Sequence, residues 1–392
     1  MTPESEFELL GYSFQELAAL VESFGEAGFR ARQLFEALYR QRIPVLEAIS
    51  TLPQAFRSKL ISEGYAIGFP VVERRFVSSD GTVRYLVCFR DGQSVETVWM
   101  PEGDGVEDGD GDTTGGSEAS TTPSSEDVTE SASEDVPQRG TICLSSQAGC
   151  AVNCAFCMTA LLGLQRNLSA GEIIGQVLLV LNDMGLRVGR DRINLVFMGQ
   201  GEPFLNYANF MRAVQLLVSG TGLAESRMTV STSGIVPRIA EFGREPVRPH
   251  LAISLNGSNA EGRGQLMPIT RKWGLNALLR AAREFPLRTR ERLTFEYVLL
   301  SEVNDREENA REVVELLRSI RAKVNLIALN PGPEIPFRTP QPEAVATFQR
   351  ILIASGIPAY VRRPRGLDIY AACGQLKRTT SLVELDQGQG RE

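Results

Sequence analysis

The sequence predicts an α/β fold on a mostly parallel sheet, either an open doubly wound sheet or a partial (β/α)6 barrel. Six short runs rich in β-branched and aromatic residues alternate with helical stretches of roughly a dozen residues. A capping box, Ser169 with Glu172, stands directly before the apolar run IIGQVLLVL. Polar and glycine-containing motifs follow the runs, as ligand-binding loops do at the carboxyl ends of parallel strands. The six runs are TICLSS, INLVFMG, MTVSTS, LAISLN, LTFEYVLL and VNLIALN.

Residues 1–70 are predicted to form a small helical module. Three stretches there carry apolar residues at intervals of three and four, and Gly25 and Gly64 stand where helix C-caps belong. Such a module is suited either to holding RNA or to capping the next domain. The three stretches are QELAALVESFG, RARQLFEALYRQ and PQAFRSKLISEG.

Residues 71–100 are predicted to form a three-stranded β-meander that links this module to the sheet. Apolar and polar residues alternate there across two Asp-Gly pairs, Asp80-Gly81 and Asp91-Gly92. Asp-Gly suits the tight hairpin turns that need positive φ.

An acidic insertion, predicted to be disordered, occupies 102–138. Of the 48 acidic residues of the chain, 12 lie between 102 and 135, where there is no Lys or Arg. Such a segment cannot bury enough apolar surface to offset its conformational entropy. The remaining 36 acidic residues stand against 41 Lys and Arg, so the folded body has a net charge of about +5, although the whole chain has −7. A weakly basic body is compatible with an RNA partner.

The rest of the chain is assigned to the α/β domain at 139–380 and a flexible tail at 381–392. The amino-terminal residues MTPESEFELL lack the basic and apolar regions of a signal peptide, and no apolar run is long enough to span a bilayer. We therefore expect a cytoplasmic protein without a membrane partner.

Three of the six cysteines, Cys150, Cys154 and Cys157, form a C-x3-C-x2-C motif after the first predicted strand. Six cysteines in 392 residues are too sparse for a disulfide scaffold. A structural zinc site needs a fourth ligand, and the only histidine, His250, lies at the fourth predicted strand. A [4Fe–4S] cluster with one open iron suits three thiolates better, and zinc stays the weaker alternative.

The motifs around these cysteines resemble the RlmN family, the radical S-adenosylmethionine (SAM) methyltransferases of adenine carbon 2 in ribosomal and transfer RNA. The resemblance covers residues from about 10 to 378 and implies that the α/β domain is a partial (β/α)6 radical SAM barrel. The matching blocks are ETVWMP, TICLSSQAGCAVNCAFCMTALLGLQRNLSAGEIIGQV, MGQGEPFLN, STSGIVP, EYVLLSEVND, VNLIALNP and DIYAACGQL.

The resemblance implies a set of cofactor ligands: Cys150, Cys154 and Cys157 for the cluster, and seven residues for SAM, two molecules of which are used per turnover. The chain departs from the family pattern at Gln200, Asn256 and Leu329, where the family usually has Met, His and an aromatic residue. The SAM-binding residues are Gly201, Glu202, Ser231, Ser254, Leu255, Asn256 and Asn330.

The resemblance also implies three catalytic residues. Carbon 2 of adenine is too electron-poor to attack a sulfonium methyl group, so Cys373 first takes a methyl group from SAM, and a radical made on that group adds to the base. Glu96 then accepts the carbon 2 proton, and Cys143 attacks the Cys373 sulfur, leaving a disulfide. Without the resemblance, each of the three residues has an ordinary structural interpretation.

The implied substrates are an adenine in the peptidyl-transferase loop of 23S rRNA and the tRNA adenine after the anticodon. Arg362, Arg363 and Arg365 offer forked donors for phosphates. An electron donor such as flavodoxin and a monomeric state are expected. Two alternatives remain: an adenine carbon-8 rRNA methyltransferase of the Cfr type, and a non-catalytic RNA-binding protein with a structural metal.

Overall fold

The computed structural model describes residues 7–102, 137–332 and 334–376. The predicted acidic insertion, apart from residues 102, 137 and 138, and the predicted tail at 381–392 lie outside the described residues.

The amino-terminal region contains the three predicted helices, α1 (Phe14–Ser23), α2 (Phe29–Tyr39) and α3 (Gln54–Ser62). Ser13 and Glu16 form a capping box at the start of α1. Two short strands that the sequence did not predict, β1 (Phe7–Glu8) and β2 (Tyr65–Ala66), pair in parallel. They bring the two ends of this region together.

One sheet of ten strands dominates the described residues. The predicted meander is confirmed as three antiparallel strands, and its last strand pairs with the first parallel strand, so it is part of the main sheet. The ten strands are β3 (Val71–Val77), β4 (Val83–Cys88), β5 (Ser94–Pro101), β6 (Arg139–Cys143), β9 (Arg192–Phe197), β10 (Met228–Thr232), β11 (His250–Ser254), β12 (Leu293–Leu299), β13 (Ala322–Ala328) and β14 (Ala359–Val361).

The parallel strands follow one another across the sheet in chain order, from β6 to β14. A doubly wound sheet reverses its strand order at a switch point, and this sheet does not. Right-handed crossovers in a constant direction place all helices on one face. The helices are α4 (Ala170–Asp183), α5 (Tyr207–Leu216), α6 (Val236–Phe242), α7 (Ala260–Leu266), α8 (Leu275–Glu284), α9 (Glu307–Leu317) and α10 (Pro342–Ala354).

The sheet curls until the loops at its two ends touch. Gly366 N, in the loop after β14, donates to Asp80 Oδ2 at 2.9 Å, and Ser78 Oγ, after β3, donates to Asp368 Oδ1 at 2.5 Å. These contacts and the strand order confirm the partial barrel. The predicted capping box is also confirmed, because Ser169 Oγ accepts from Glu172 N at 3.1 Å at the start of α4. No helix in the described ranges is long and apolar enough to cross a bilayer.

Candidate active site

The cofactor-binding side chains predicted from the sequence lie at the carboxyl ends of neighbouring strands. Ser231 is the penultimate residue of β10 and Ser254 the last of β11, and their hydroxyl oxygens are 3.4 Å apart. Glu202 follows β9, and Asn330 follows β13. Parallel pairing therefore gathers these distant chain positions at one mouth of the barrel.

The three-cysteine motif lies in the loop of a two-stranded ribbon, β7 (Gln147–Gly149) with β8 (Leu164–Asn167), which the sequence did not predict. Cys150 N donates to Gly163 O at 3.0 Å and closes this loop. Gly149 has φ +79°, and a Cβ atom there would come within 1.8 Å of Gly163 O, so the turn requires glycine.

The protein around this cysteine loop raises the pKa of all three thiols. Burial raises the pKa of Cys150 to about 12 and the pKa of Cys157 above its usual range. Burial and then the neighbouring Cys157 and Cys150 raise the pKa of Cys154. In the described part of the chain, no three His, Cys, Asp or Glu side chains are drawn together as a metal-binding group, so the ligand role of these cysteines stays a prediction.

Glu202 is 3% exposed, and its carboxylate accepts three hydrogen bonds. The donors are Phe204 N at 3.0 Å, Thr232 Oγ1 at 2.9 Å and Ser233 N at 2.6 Å. Burial raises the pKa of Glu202, and these hydrogen bonds oppose that rise. A carboxylate has about four acceptor positions, so one stays open for the predicted contact with SAM. Gly201, with φ +98°, lies beside Gln147, where a Cβ atom would clash.

A second carboxylate, Glu296 on β12, lies at this mouth and was not predicted. Ser231 Oγ donates to Glu296 Oε2 at 2.5 Å. Burial raises the pKa of Glu296, and Arg362 is among the groups that lower it. The predicted phosphate-binding residue Arg362 therefore lies close to the strand ends, while Arg363 is exposed.

The Asn256 side chain is buried and has partners within the protein, unlike a side chain that lines an open pocket. It is 2% exposed and has φ +53°, its Oδ1 accepts from Val298 N at 2.8 Å, and its Nδ2 lies 3.4 Å from Met267 Sδ. Leu255 is fully buried beside it. The role of both residues in SAM binding stays a prediction.

Cys373 lies in a carboxyl-terminal loop, residues 371–376, that packs against the cysteine loop. Cys373 is an exposed residue at the mouth of the barrel, and desolvation of its sulfur by the surrounding protein raises the pKa of the thiol to about 11. Four hydrogen bonds hold the loop: Met158 N to Gly374 O at 2.8 Å, Thr159 Oγ1 to Leu376 O at 2.8 Å, Asn330 Nδ2 to Cys373 O at 3.1 Å and Gln375 Nε2 to Pro331 O at 2.7 Å.

Cys143, the last residue of β6, is buried in an apolar cluster with residues of this carboxyl-terminal loop, including Ala371 and Leu376. Burial raises the pKa of Cys143, and the nearby Cys373 thiol raises it further. The structure thus brings Cys143 and Cys373 to one place, although the chain separates them by more than half its length.

Glu96 lies on β5 and faces the barrel interior with Val98, whose ladder partner is Cys143. Its neighbour Thr97 points the other way, to Gln176 on α4. The Glu96 carboxylate pairs with Arg84, and both side chains are 1% exposed. Gln200 Nε2 donates to Glu96 Oε2 at 3.0 Å. Glu96 is therefore a buried, positioned carboxylate.

The sequence did not identify three residues of the site, namely Arg84, Glu296 and Arg263. Arg84 and Glu296 lie on predicted strands, but a single sequence does not show which polar strand residues face a barrel interior. Arg263 lies in α7 and is 1% exposed. His250 begins β11, so it lies at the amino-terminal end of this strand, away from the site, 3.7 Å from Glu291.

Comparison with known proteins first identifies the class of enzyme. A family model described as the radical SAM superfamily matches residues 144–317, which include the cysteine loop. A radical SAM methyltransferase from Sphaerobacter thermophilus has a similar structure, with a TM-score of 0.82 and 38% identity over 95% of this chain and 99% of that one. The protein is a radical SAM enzyme.

Further comparisons identify the family. A model described as the ribosomal RNA large subunit methyltransferase N-terminal domain matches residues 7–65. A probable dual-specificity RNA methyltransferase RlmN from Koribacter versatilis is 63% identical over 93% of this chain and 100% of its own length. The RlmN of Syntrophobacter fumaroxidans is 41% identical over 93% and 96%. The chain belongs to the RlmN family of RNA methyltransferases, which excludes the non-catalytic alternative.

Proposed function

We propose that the protein methylates carbon 2 of adenine in RNA, with Cys150, Cys154 and Cys157 holding the [4Fe–4S] cluster of its superfamily. The residues fit that group, because three thiols share one loop and a buried cation, Arg263, lies beside Cys154. When bound, the cluster supplies the electron that cleaves SAM homolytically and so starts radical chemistry. Gly201, Glu202, Ser231, Ser254, Leu255, Asn256 and Asn330 surround SAM.

The observation that carries this proposal is the docking of the Cys373 loop onto the cysteine loop. Gly374, next to Cys373, accepts from Met158, next to Cys157. A methyl group on the Cys373 sulfur therefore lies beside the radical source. The Cys373 sulfur takes the methyl group from one SAM by displacement and gives up its thiol proton, and radical formation on that group by a second SAM makes it reactive toward an electron-poor ring carbon.

Glu96 and Cys143 complete the reaction after the Cys373 methylene carbon bonds to the base. The Glu96 carboxylate accepts the proton from carbon 2, and the unpaired electron of the adduct passes to a one-electron acceptor, a role that the oxidised cluster would fill, so that the aromatic ring is restored. The thiol proton of Cys143 leaves as its sulfur attacks the Cys373 sulfur, the bond between that sulfur and the methylene carbon breaks, the released carbon takes a proton to become the methyl group, and a Cys143–Cys373 disulfide forms. An external thiol reductant reopens it. The burial of Cys143 against the Cys373 loop supports this pairing.

The substrates that we propose are an adenine in the peptidyl-transferase loop of 23S rRNA and the tRNA adenine after the anticodon. The relatives' dual specificity and the match of residues 7–65 to a ribosomal RNA methyltransferase domain support this assignment. We assign phosphate contacts to Arg362, Arg363 and Arg365, which follow β14. A flavodoxin-type electron donor, a monomeric state and a cytoplasmic location complete the proposal.

Anaerobic turnover with rRNA and tRNA tests the proposal. With SAM carrying a CD3 group, the wild type should produce 2-methyladenosine that retains two deuterium atoms, because the methyl group passes through a methylene stage. Cys373→Ala should give no product. Cys88→Ala is the matched control, because Cys88 is a partly buried cysteine at the end of β4, outside the site, and this variant should retain activity.

Three outcomes would contradict the proposal. Full activity of Cys373→Ala would reject the methyl carrier, and three retained deuterium atoms would indicate direct transfer. 8-Methyladenosine in digested RNA would assign the protein to the carbon-8 alternative.

A further inference from the structure

Arg263 is a buried cation whose partners are all neutral. The side chain is 1% exposed, and its guanidinium donates to three carbonyl oxygens and one hydroxyl. These acceptors are Leu255 O at 3.1 Å, Thr270 Oγ1 at 2.5 Å, Ser233 O at 2.6 Å and Ser254 O at 3.1 Å. The guanidinium N–H groups thus have acceptors, but none of these acceptors balances the positive charge.

The other strongly buried arginines have carboxylate partners. Arg84 pairs with Glu96, and Arg248 pairs with Glu291 at 2.7 Å. No carboxylate lies within ion-pair distance of Arg263 among the residues that the structure describes. A buried charge without a countercharge is costly, so proteins normally pair it. Arginine stays protonated in proteins at neutral pH, so the Arg263 guanidinium carries its positive charge.

Arg263 lies between the cysteine loop and the strand ends. Its helix, α7, ends at Leu266, whose carbonyl accepts from Ala155 N of the cysteine loop at 2.9 Å. Cys154 packs against Leu266 and Met267 in one apolar cluster. On its other side, Arg263 binds the carbonyl at the end of β11. The cation therefore faces the place where the cysteine ligands would gather.

Three thiolates give a [4Fe–4S] cluster a net negative charge, and reduction adds another negative charge. A cation at this position in a low-dielectric interior stabilises the reduced form more than the oxidised form. We propose that Arg263 is the buried countercharge of the cluster and holds its reduction potential at less negative values, which makes the electron transfer that starts the reaction easier. This inference rests on the proposed cluster ligation by Cys150, Cys154 and Cys157.

Redox titration of the reconstituted holoenzyme, monitored by the paramagnetic signal of the reduced cluster, tests the proposal. In Arg263→Gln and Arg263→Met, the ratio of reduced to oxidised cluster at a fixed potential should fall at least tenfold, which is a shift of about 59 mV to more negative potential. Arg263→Lys retains the charge and should stay within threefold of the wild type. Arg248→Met removes an equally buried arginine just before the amino-terminal end of β11, away from the cysteine loop. This variant should leave the potential unchanged.

A wild-type potential in either neutral variant would overturn the proposal, as would a tenfold change in Arg263→Lys. Circular dichroism checks that the neutral variants fold, and Arg263→Gln, whose amide can still donate to the carbonyl acceptors, decides if Arg263→Met does not fold. The same titration keeps the two levels of inference apart. A wild-type protein without iron or a paramagnetic signal would reject the cysteine ligation itself, whereas an intact signal with unshifted variants would reject the role of Arg263 alone.

Discussion

Arg84→Met should destabilise the protein strongly, because it removes the countercharge of the buried Glu96 carboxylate. Both side chains of this pair are 1% exposed, so water cannot replace the lost partner. Breaking a buried pair on one side costs about 3–5 kcal/mol. Against a total unfolding free energy of about 5–15 kcal/mol, this is a large loss. An ion pair between exposed partners contributes only about 0–1 kcal/mol to stability.

A double-mutant cycle measures this coupling in the apo-protein by urea-induced unfolding, followed by circular dichroism under reducing conditions. Arg84→Met/Glu96→Leu removes both charges and should recover most of the stability that Arg84→Met loses, because no charge is then left buried. The matched surface pair is Arg311 with Glu307, 61% and 53% exposed at 2.6 Å. Its Arg311→Met variant should lose under about 1 kcal/mol. A loss that small for Arg84→Met, or no recovery in the double variant, would refute the reasoning.

Three further predictions concern the cysteine loop, acid stability and the carboxyl-terminal loop. Gly149→Ala should lower the iron content of the reconstituted protein, because its Cβ would meet Gly163 O at 1.8 Å, whereas Gly92→Ala, with φ +77° and open space around it, should cost stability but retain iron; iron assay and thermal melting separate the two. Burial raises the pKa of Glu291, but the neighbouring His250 and the hydrogen bonds from Arg248 and Arg288 N bring it down to about 2, so its contribution is present above its usual value of 4.5 and is lost as the pH falls toward 2. Glu291→Gln should therefore lose less stability than the wild type across that window, by at most about 3 kcal/mol, in acid titrations of unfolding. Asn330→Leu removes a donor at 3.1 Å from Cys373 O and should slow S-methylation of Cys373 about fivefold at unchanged iron content, as measured by peptide mass spectrometry, since one such hydrogen bond contributes about 1 kcal/mol.

The strands, helices and strand-end motifs could be predicted because their signals are local. The alternation between strand and helix, the Asp-Gly turns and the Ser169–Glu172 cap each depend on residues close in the chain. β14 was missed because three residues, Ala359–Val361, carry too little pattern. The ribbon around the cysteines was missed because its pairing, with a register irregularity at Gly149, is set by the loop geometry.

The partners of the site residues could not be predicted, because they depend on which strand faces lie inside the barrel. β4 (VRYLVC) carries a charged residue, Arg84, which would ordinarily mark a solvent-exposed face, yet five of its six residues are buried, since the barrel interior covers the face that carries Arg84. Gln200 appears in the sequence only as a departure from the family pattern. In three dimensions its amide contacts the carboxylate that we propose as the proton acceptor.

The meander and the Cys373 loop act as one structural unit, although 290 positions separate their contacting residues Ser78 and Asp368. Asp80 accepts from Gly366 N at 2.9 Å, and Gly366 in turn accepts from Ala371 N at 2.9 Å. This chain of hydrogen bonds runs from the β3–β4 turn into the loop that carries Cys373. Because β5 of the same meander carries Glu96, the contact that closes the barrel also links the Cys373 thiol to the carboxylate that we propose as its catalytic partner. A meander that served only as a linker between domains would need neither contact.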